Sequence, residues 1–435
     1  MLPKGCSHGA VRRAHVPQGL GYRVCHDYEE LPIADCELKW LMMISEEEAR
    51  RKILETIQPL PERAVSLSRA LDCFSRQDLV ARLPMPGFDN SAMDGYAVVA
   101  TSCRMGERLR VVGEQPAGVD RGIRVSPGEA ARIFTGAPMP ARADAVVMQE
   151  DITRDGNEIV LKVDIDAGDF VRRRGCDLSE GQKILSKGER IRAATLALLA
   201  SQGFSEVTIG GEVDVAIIST GDELVKPGTK IKQGQIYESN SVLLQSLLQR
   251  CNATVRSMET CPDDEHSLTE ALKRGIRSHV LIISGGVSVG EHDIVKSTLL
   301  SLGARIDIWR VAIKPGKPFL FGQAGDCAIF GLPGNPVSSF NTFLQFVRPA
   351  VLKMMSASDG ELALTKVTAE SEIDFHNDGE RAHYVRGRFE NGKFLTVGRQ
   401  ESHALFGLSQ SNALLRLAPG ESVKKGAAVE LQLWD

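Results

Sequence analysis

The 435-residue chain has no apolar run approaching the roughly 20 residues that cross a bilayer, and its N-terminus lacks the apolar core of a secretion signal. Both absences point to the cytoplasm. Excess positive charge is also missing. With a net charge of -4 and a pI near 6.2, no global field gathers nucleic acid or an anionic membrane, and any polyanion must be met locally. The nine cysteines form no CxxC pair and no metal-ligand spacing, so in a long intracellular chain they read as reduced bystanders. No Ser-His-Asp set and no metal-grade group stands out among the nine histidines. Internal repeats and low-complexity segments are absent as well.

What is present is an ordinary soluble composition, 43% hydrophobic and 25% charged, in a chain long enough for two to four cores. Residues 1–42 show no sustained periodicity and are expected to be an extension without an ordered element. Order begins near Met43, because "SEEEARRKILETI" (Ser45 to Ile57) opens with a capping serine, a glutamate three residues on and acids in the first helical turn. Between 84 and 175, the runs "LRVVGE", "ARIFTG", "AVVMQE" and "EIVLKVDI" alternate with Gly/Pro punctuation and predict a β-rich domain. A helix over 189–202, stopped by Gly203, returns the chain to helical pattern.

Residues 213–358 change character. "VDVAIIS", "SHVLIIS" and "DCAIFGL" are nearly continuous apolar runs, each followed by a Gly-containing loop and a helical pattern. Strands buried on both faces with helical crossovers predict an open, mostly parallel α/β sheet. After 359 the pattern becomes strands again, predicting a compact C-terminal β domain. In an open α/β sheet ligands bind beyond the carboxyl ends of the strands, so "STGDELVKPG", "SGGVSVGEHD" and "GLPGNPVSS" should share one edge.

The glycine loop of "SGGVSVGEHD" lets amides approach an anion at a helix N-terminus. It is no Walker loop, since Glu291 and His292 stand where Lys and Ser/Thr belong, and its glycines do not give GxGxxG. A tight strand-to-helix turn reads the same residues equally well. Asp293 and Glu291 would repel bare phosphate unless a divalent cation or a base intervenes; Lys314 and Lys317 in "IKPGKP" and Arg310 just before supply bases. In "GLPGNP", Asn335 is the expected cap and Pro336 the first helical residue, an arrangement a purely structural helix start also explains. Asp222 and Glu223 add acids to the same edge, as a solvated turn would. Upstream, Asp89 and Asp94 in "PGFDNSAMDGYAV", Thr135 in "FTGAPMP" and Asp177 in "RRRGCDL" are polar residues in loops, readable as turn or surface groups.

Taken together, "PGFDNSAMDGYAV", "FTGAPMP", "RRRGCDL", "STGDEL", "SGGVSVGEHD", "AIKPGKP" and "GLPGNPVSS" follow the order found in the molybdopterin molybdenumtransferase family, and the chain resembles it over about residues 43–435. That family comprises the bacterial MoeA proteins and the C-terminal domain of gephyrin. The resemblance implies a multidomain α/β fold. A discontinuous helical and linking domain covers 43–83 and 176–212, an inserted β-rich domain 84–175, a central molybdopterin-binding α/β domain 213–358 and a C-terminal β-barrel 359–435. It also implies a head-to-tail homodimer, with a molybdopterin adenylyltransferase as upstream donor and no nucleic-acid or membrane partner. The implied reaction takes adenylyl-molybdopterin and molybdate with Mg²⁺, inserts the metal and releases AMP.

By the same resemblance, Glu223, Asp263 and Asp293 handle Mg²⁺ or pyrophosphate, and Lys314 and Arg310 hold phosphate or molybdate. Ser284, Gly285, Gly286 and Ser288 form the pterin-phosphate loop, joined by Pro333, Pro336, Arg386 and Ser402. Asp89 and Thr135 reach in from the partner subunit, and Asp177 contributes from "RRRGCDL". Arg310 stands where the family commonly has lysine, and Cys176 where an acid is frequent. Adenylyl transfer to molybdopterin and a non-catalytic gephyrin-like scaffold are the alternative activities, and tungstate is an alternative oxyanion.

Overall fold

The structure is a computed structural model and describes residues 43–287 and 294–434. The extension expected over 1–42 and the loop residues Ser288 to Asp293 lie outside the described residues.

The first helix, Glu46–Thr56, starts as its sequence dictates. The hydroxyl of Ser45 accepts the Glu48 amide at 3.1 Å, and three glutamates occupy the first turn, where the helix dipole favours them. Its Ala49, Ile53 and Ile57 face the α/β core. Just before it, Ile44 forms a parallel bridge with Val311, its amide donating to the Arg310 carbonyl and its carbonyl accepting from Ala312. The start of the described chain is thereby stitched to the segment that carries Arg310 and Lys314.

The β-rich runs form one six-stranded sheet, in which Gly95–Val98 lies between Ala145–Met148 and Glu129–Ile133, followed by Arg108–Gln115, Glu158–Leu161 and Ile152–Asp155. Leu109, Val147 and Ile159 lie in its buried core, consistent with one apolar face per strand. Antiparallel pairs tie the chain before this sheet to the chain after it, Arg63–Ser66 with Glu206–Ile209 and Leu79–Val80 with Lys183–Leu185. The helix expected over 189–202 is Ala193–Ser201, and Gly203 ends it at φ +75°.

The central sheet contains β1 (Asp214–Thr220), β2 (Thr254–Cys261), β3 (Val280–Ser284), β4 (Arg305–Arg310), β5 (Pro318–Ala324) and β6 (Cys327–Leu332), in the order β2-β1-β3-β6-β5-β4. The first four in that order are parallel, while β5 and β4 add an antiparallel margin. β3 and β6 are buried along their whole length, which is why they read as unbroken apolar runs. Phe319 and Phe346 meet at a centroid distance of 4.6 Å beneath the sheet, a contact contributing about 0.5–1.5 kcal/mol beyond burial. From β1 the chain passes out to β2 and then returns to β3 on the other side. The loops after β1 and β3 therefore part, opening a crevice at the carboxyl edge.

The C-terminal strands Thr365–Ser371, Ala382–Glu390, Lys393–Thr396, Ala413–Leu417 and Ala428–Leu433 close into a five-stranded barrel. A short strand, Ile313–Lys314, runs parallel to the start of Ala382–Glu390, so the central domain lends a strand to the barrel. No described helix is long and apolar enough to cross a membrane. The described cysteines are free thiols; burial pushes Cys251 up to about 11 and Cys327 to about 12, keeping both unreactive.

Candidate active site

Because β2, β1, β3 and β6 are parallel, the three loops expected to share an edge do share it, and the loop after β2 joins them with Asp263. The strand ends approach closely. Gly285 has φ +91°, and a Cβ there would lie 2.4 Å from the Thr220 carbonyl oxygen; a Cβ at Gly334 would reach 3.6 Å from the Gly285 Cα. Only glycine tolerates the first position. The Thr220 hydroxyl donates to Asp263, whose own amide donates to Asp222 at 3.1 Å. Asp222, Glu223 and Asp263 are exposed carboxylates on this edge. Among the described residues no three metal-ligating side chains converge. Glu223 and Asp263 are hard oxygen donors of the kind Mg²⁺ takes, and Asp293, the third expected ligand, falls outside the described residues, as does Ser288.

Two residues in "YESN", Glu238 and Asn240, bind this edge together. Asn240, 8% exposed, donates from Nδ2 to the Ser284 hydroxyl at 2.8 Å and to the Gly334 carbonyl at 2.7 Å, while its Oδ1 has no partner. One amide thus fixes the glycine loop and the "GLPGNP" loop to each other. Glu238, also buried, accepts from Ser219 on β1 at 3.0 Å and from the Ser241 amide at 2.8 Å. The available signal was an Asn directly after a helix cap at a strand-to-helix crossover, where a helix former would otherwise stand.

Pro336 begins its helix as expected, but Asn335 makes no side-chain cap. Its amide donates instead to the Ser402 hydroxyl at 3.0 Å, and the Val337 amide donates to the Ser402 carbonyl at 3.1 Å. The helix end therefore presents fewer free amides than its sequence suggests, because the barrel uses one. Arg386 arranges this contact from within. It is 1% exposed and donates its guanidinium to the carbonyls of Arg399 and Glu401, at 3.3 Å for the latter. Burial lowers its proton affinity, yet guanidinium stays charged. Arg386 thus holds the segment that carries Ser402.

Lys314 is exposed, while Arg310 is half-buried at the end of β4. Asn341 in the Pro336 helix donates to the Pro315 carbonyl at 2.9 Å, and a Cβ at Gly316 would lie 2.6 Å from the Thr342 methyl, so "IKPGKP" lies tightly on that helix. Pro333 is buried directly after β6.

The remaining expected residues lie elsewhere. Asp89 accepts the Arg174 amide at 2.7 Å and Arg173 Nη1 at 2.8 Å, and these contacts hold its carboxyl below the usual range. The Thr135 hydroxyl is not a spare donor: hydroxyl and amide both bond Asp94, at 2.8 and 2.7 Å. Asp177 is exposed, its amide bonded to Met85. None of these contacts links Asp89, Thr135 or Asp177 to the α/β edge of the same chain.

A glycine-lined parallel edge, an attached barrel and an inserted β sheet define a multidomain α/β protein with its site at the carboxyl edge of the sheet. In keeping with that class, the MoeA N-terminal region (domain I and II) matches residues 44–203, a probable molybdopterin binding domain matches 216–353, and the MoeA C-terminal region (domain IV) matches 368–434. The molybdopterin molybdenumtransferase of Haemophilus influenzae is 34% identical over 384 residues, covering 86% of this chain and 94% of that protein. The Nostoc protein of that name is 37% identical over 357 residues, covering 78% and 81%. A solved molybdopterin biosynthesis MoeA protein from Pyrococcus horikoshii is similar over 90% of this chain and all of that one, with 29% identity and a TM-score of 0.77. The chain belongs to the molybdopterin molybdenumtransferase family, and it is a transferase of molybdenum cofactor biosynthesis.

Proposed function

We propose that the protein inserts molybdate into adenylylated molybdopterin in a Mg²⁺-dependent reaction that releases AMP. The observation that carries this reading is the Asn240 clamp, which holds the glycine loop against the "GLPGNP" loop on the edge that also bears the acids. Backbone amides at Gly285 and Gly286 suit the pterin phosphate. Lys314 and Arg310, with Ser402 brought up by Arg386, offer cations and a hydroxyl to an oxyanion. Mg²⁺, when bound by Glu223, Asp263 and Asp293, would neutralise pyrophosphate charge during its cleavage.

The working unit of this reading is a homodimer in which the partner supplies its inserted β domain; among the described residues the bonds of Asp89, Thr135 and the Asp177 amide stay within the chain's own β domain and its flanks, which leaves them available to a partner's edge. A molybdopterin adenylyltransferase supplies the substrate, and the reaction runs in the cytoplasm. The test incubates the protein with adenylyl-molybdopterin, Mg²⁺ and molybdate or tungstate and follows AMP release with active cofactor. Release that is undiminished in Glu223→Ala, or consumption of ATP with free molybdopterin instead, would refute the reading.

A further inference from the structure

His383 has no part in the chemistry so far, yet it stands beside the oxyanion cations. Its backbone is in register with Lys314 across the parallel bridge, and Arg381 next to it donates to the Ile313 carbonyl at 3.2 Å. On its other edge the register partner is uncharged Leu417. The charged groups acting on the half-buried ring are Lys314 from the neighbouring strand, Arg381 just before its own strand, Arg386 within it, and Asp378 from the turn before it. Burial first, and then these three cations against a single acid, push the imidazole down to about 4. At neutral pH the ring is uncharged, with one nitrogen able to accept a proton, which no lysine or arginine nearby can do.

We propose that His383 is the proton-linked member of the oxyanion subsite: it takes one proton from solvent when an inorganic oxyanion binds beside Lys314 and returns it when the anion leaves. This rests on reading the Lys314 end as that subsite. Without an anion, a charged ring would add a fourth cation to a part-buried cluster. A negative charge about 6 Å away reverses the balance and lifts the ring's titration point by on the order of two pH units at an effective dielectric of about 20. The sign follows from linkage. The anion-bound state holds the proton more tightly, so affinity rises as pH falls through the bound-state titration point and levels off below the free-state one.

The experiment titrates the full chain with sodium molybdate by calorimetry at about pH 5, midway between the free and bound titration points, in two buffers of different ionisation heat, which counts the protons taken up. Wild type is expected to take up about four-fifths of one proton at that pH and to bind roughly ninefold more tightly at about pH 5 than at about pH 7. His383→Gln is expected to bind with neither the uptake nor the pH dependence. Uptake unchanged in His383→Gln, or binding without uptake in wild type, overturns the role of His383 alone. Absence of binding, or binding unaffected by Lys314→Ala, removes the oxyanion subsite and the proposal with it. Histidine-selective NMR of the wild type decides independently of how the variant folds, since a His383 titration point unmoved by saturating molybdate also overturns it.

Discussion

Asn335 and Ser402 are joined across a domain boundary by the Asn335 side-chain amide on the Ser402 hydroxyl, and beside them the Val337 amide donates to the Ser402 carbonyl. The side-chain bond is exposed and the backbone bond does not depend on it. Asn335→Ala should therefore cost less than about 1 kcal/mol of stability, while loosening the Ser402 hydroxyl that the barrel brings to the edge. The expected outcome is an unchanged urea midpoint with a drop of about tenfold in the rate of AMP release at subsaturating molybdate. A parallel loss of both would mean the bond is merely structural.

Asn240 is the opposite case, because it and its partner Ser284 are buried. Asn240→Ala leaves the Ser284 hydroxyl and the Gly334 carbonyl short of a partner, costing about 1–3 kcal/mol. Asn240→Asp also replaces the donor aimed at Gly334 with an acceptor, and it should be the more damaging change to activity. Urea unfolding and AMP release, measured on both variants, test this order.

Much of the fold was legible because local signals and burial agree. Ser45 with Glu48, Gly203 past its helix and the unbroken apolar runs of β3 and β6 each follow from capping or two-sided burial. Their parallel pairing then placed three loops on one edge. What stayed hidden depends on partners far along the chain. Asn335 looks like a cap until Ser402, 67 residues away, is present to take its amide. Arg386 in "YVRG" looks like an exposed ligand until barrel closure buries it among carbonyls. Asn240 spans 44 and 94 residues to its two partners, so no local pattern marks it as a clamp.

Arg386→Met should remove the donors that hold the Arg399 and Glu401 carbonyls. With a charged donor worth about 1.5–3 kcal/mol per bond, the segment through Ser402 should open more often. Amide exchange over residues 399–403 is expected to speed up by at least tenfold, against little change at Ile282 in β3. Equal acceleration at both would point to global unfolding.

Asp89 gives a pH signature. Its folded carboxyl titrates below the ordinary range, chiefly because the Arg174 amide and then Arg173 bond the charged form. A depressed carboxylate contributes stability above its unfolded titration point, and that stability is lost as pH falls through the folded one. Asp89→Asn should therefore melt below wild type at about pH 6, with the gap closing below about pH 3. The gap should also shrink in high salt, since the Arg173 pair is solvent-exposed.

The proposed sharing of the active site between two subunits can be tested by complementation. Asp89→Ala inactivates the inserted β domain, Glu223→Ala the α/β edge, and each variant alone should be nearly inactive. In a heterodimer of the two, one site combines the intact edge of the Asp89→Ala subunit with the intact β domain of the Glu223→Ala subunit. The other site carries both lesions. Random reassembly makes half of the dimers mixed, each with one working site of two, so an equal mixture should recover about a quarter of wild-type AMP release. A site built within one chain recovers nothing, because every edge would then carry a lesion of its own subunit. Recovery must also require subunit exchange: mixing without prior dissociation should restore activity only as fast as dimers exchange, which size-exclusion chromatography of a tagged and an untagged pool measures directly.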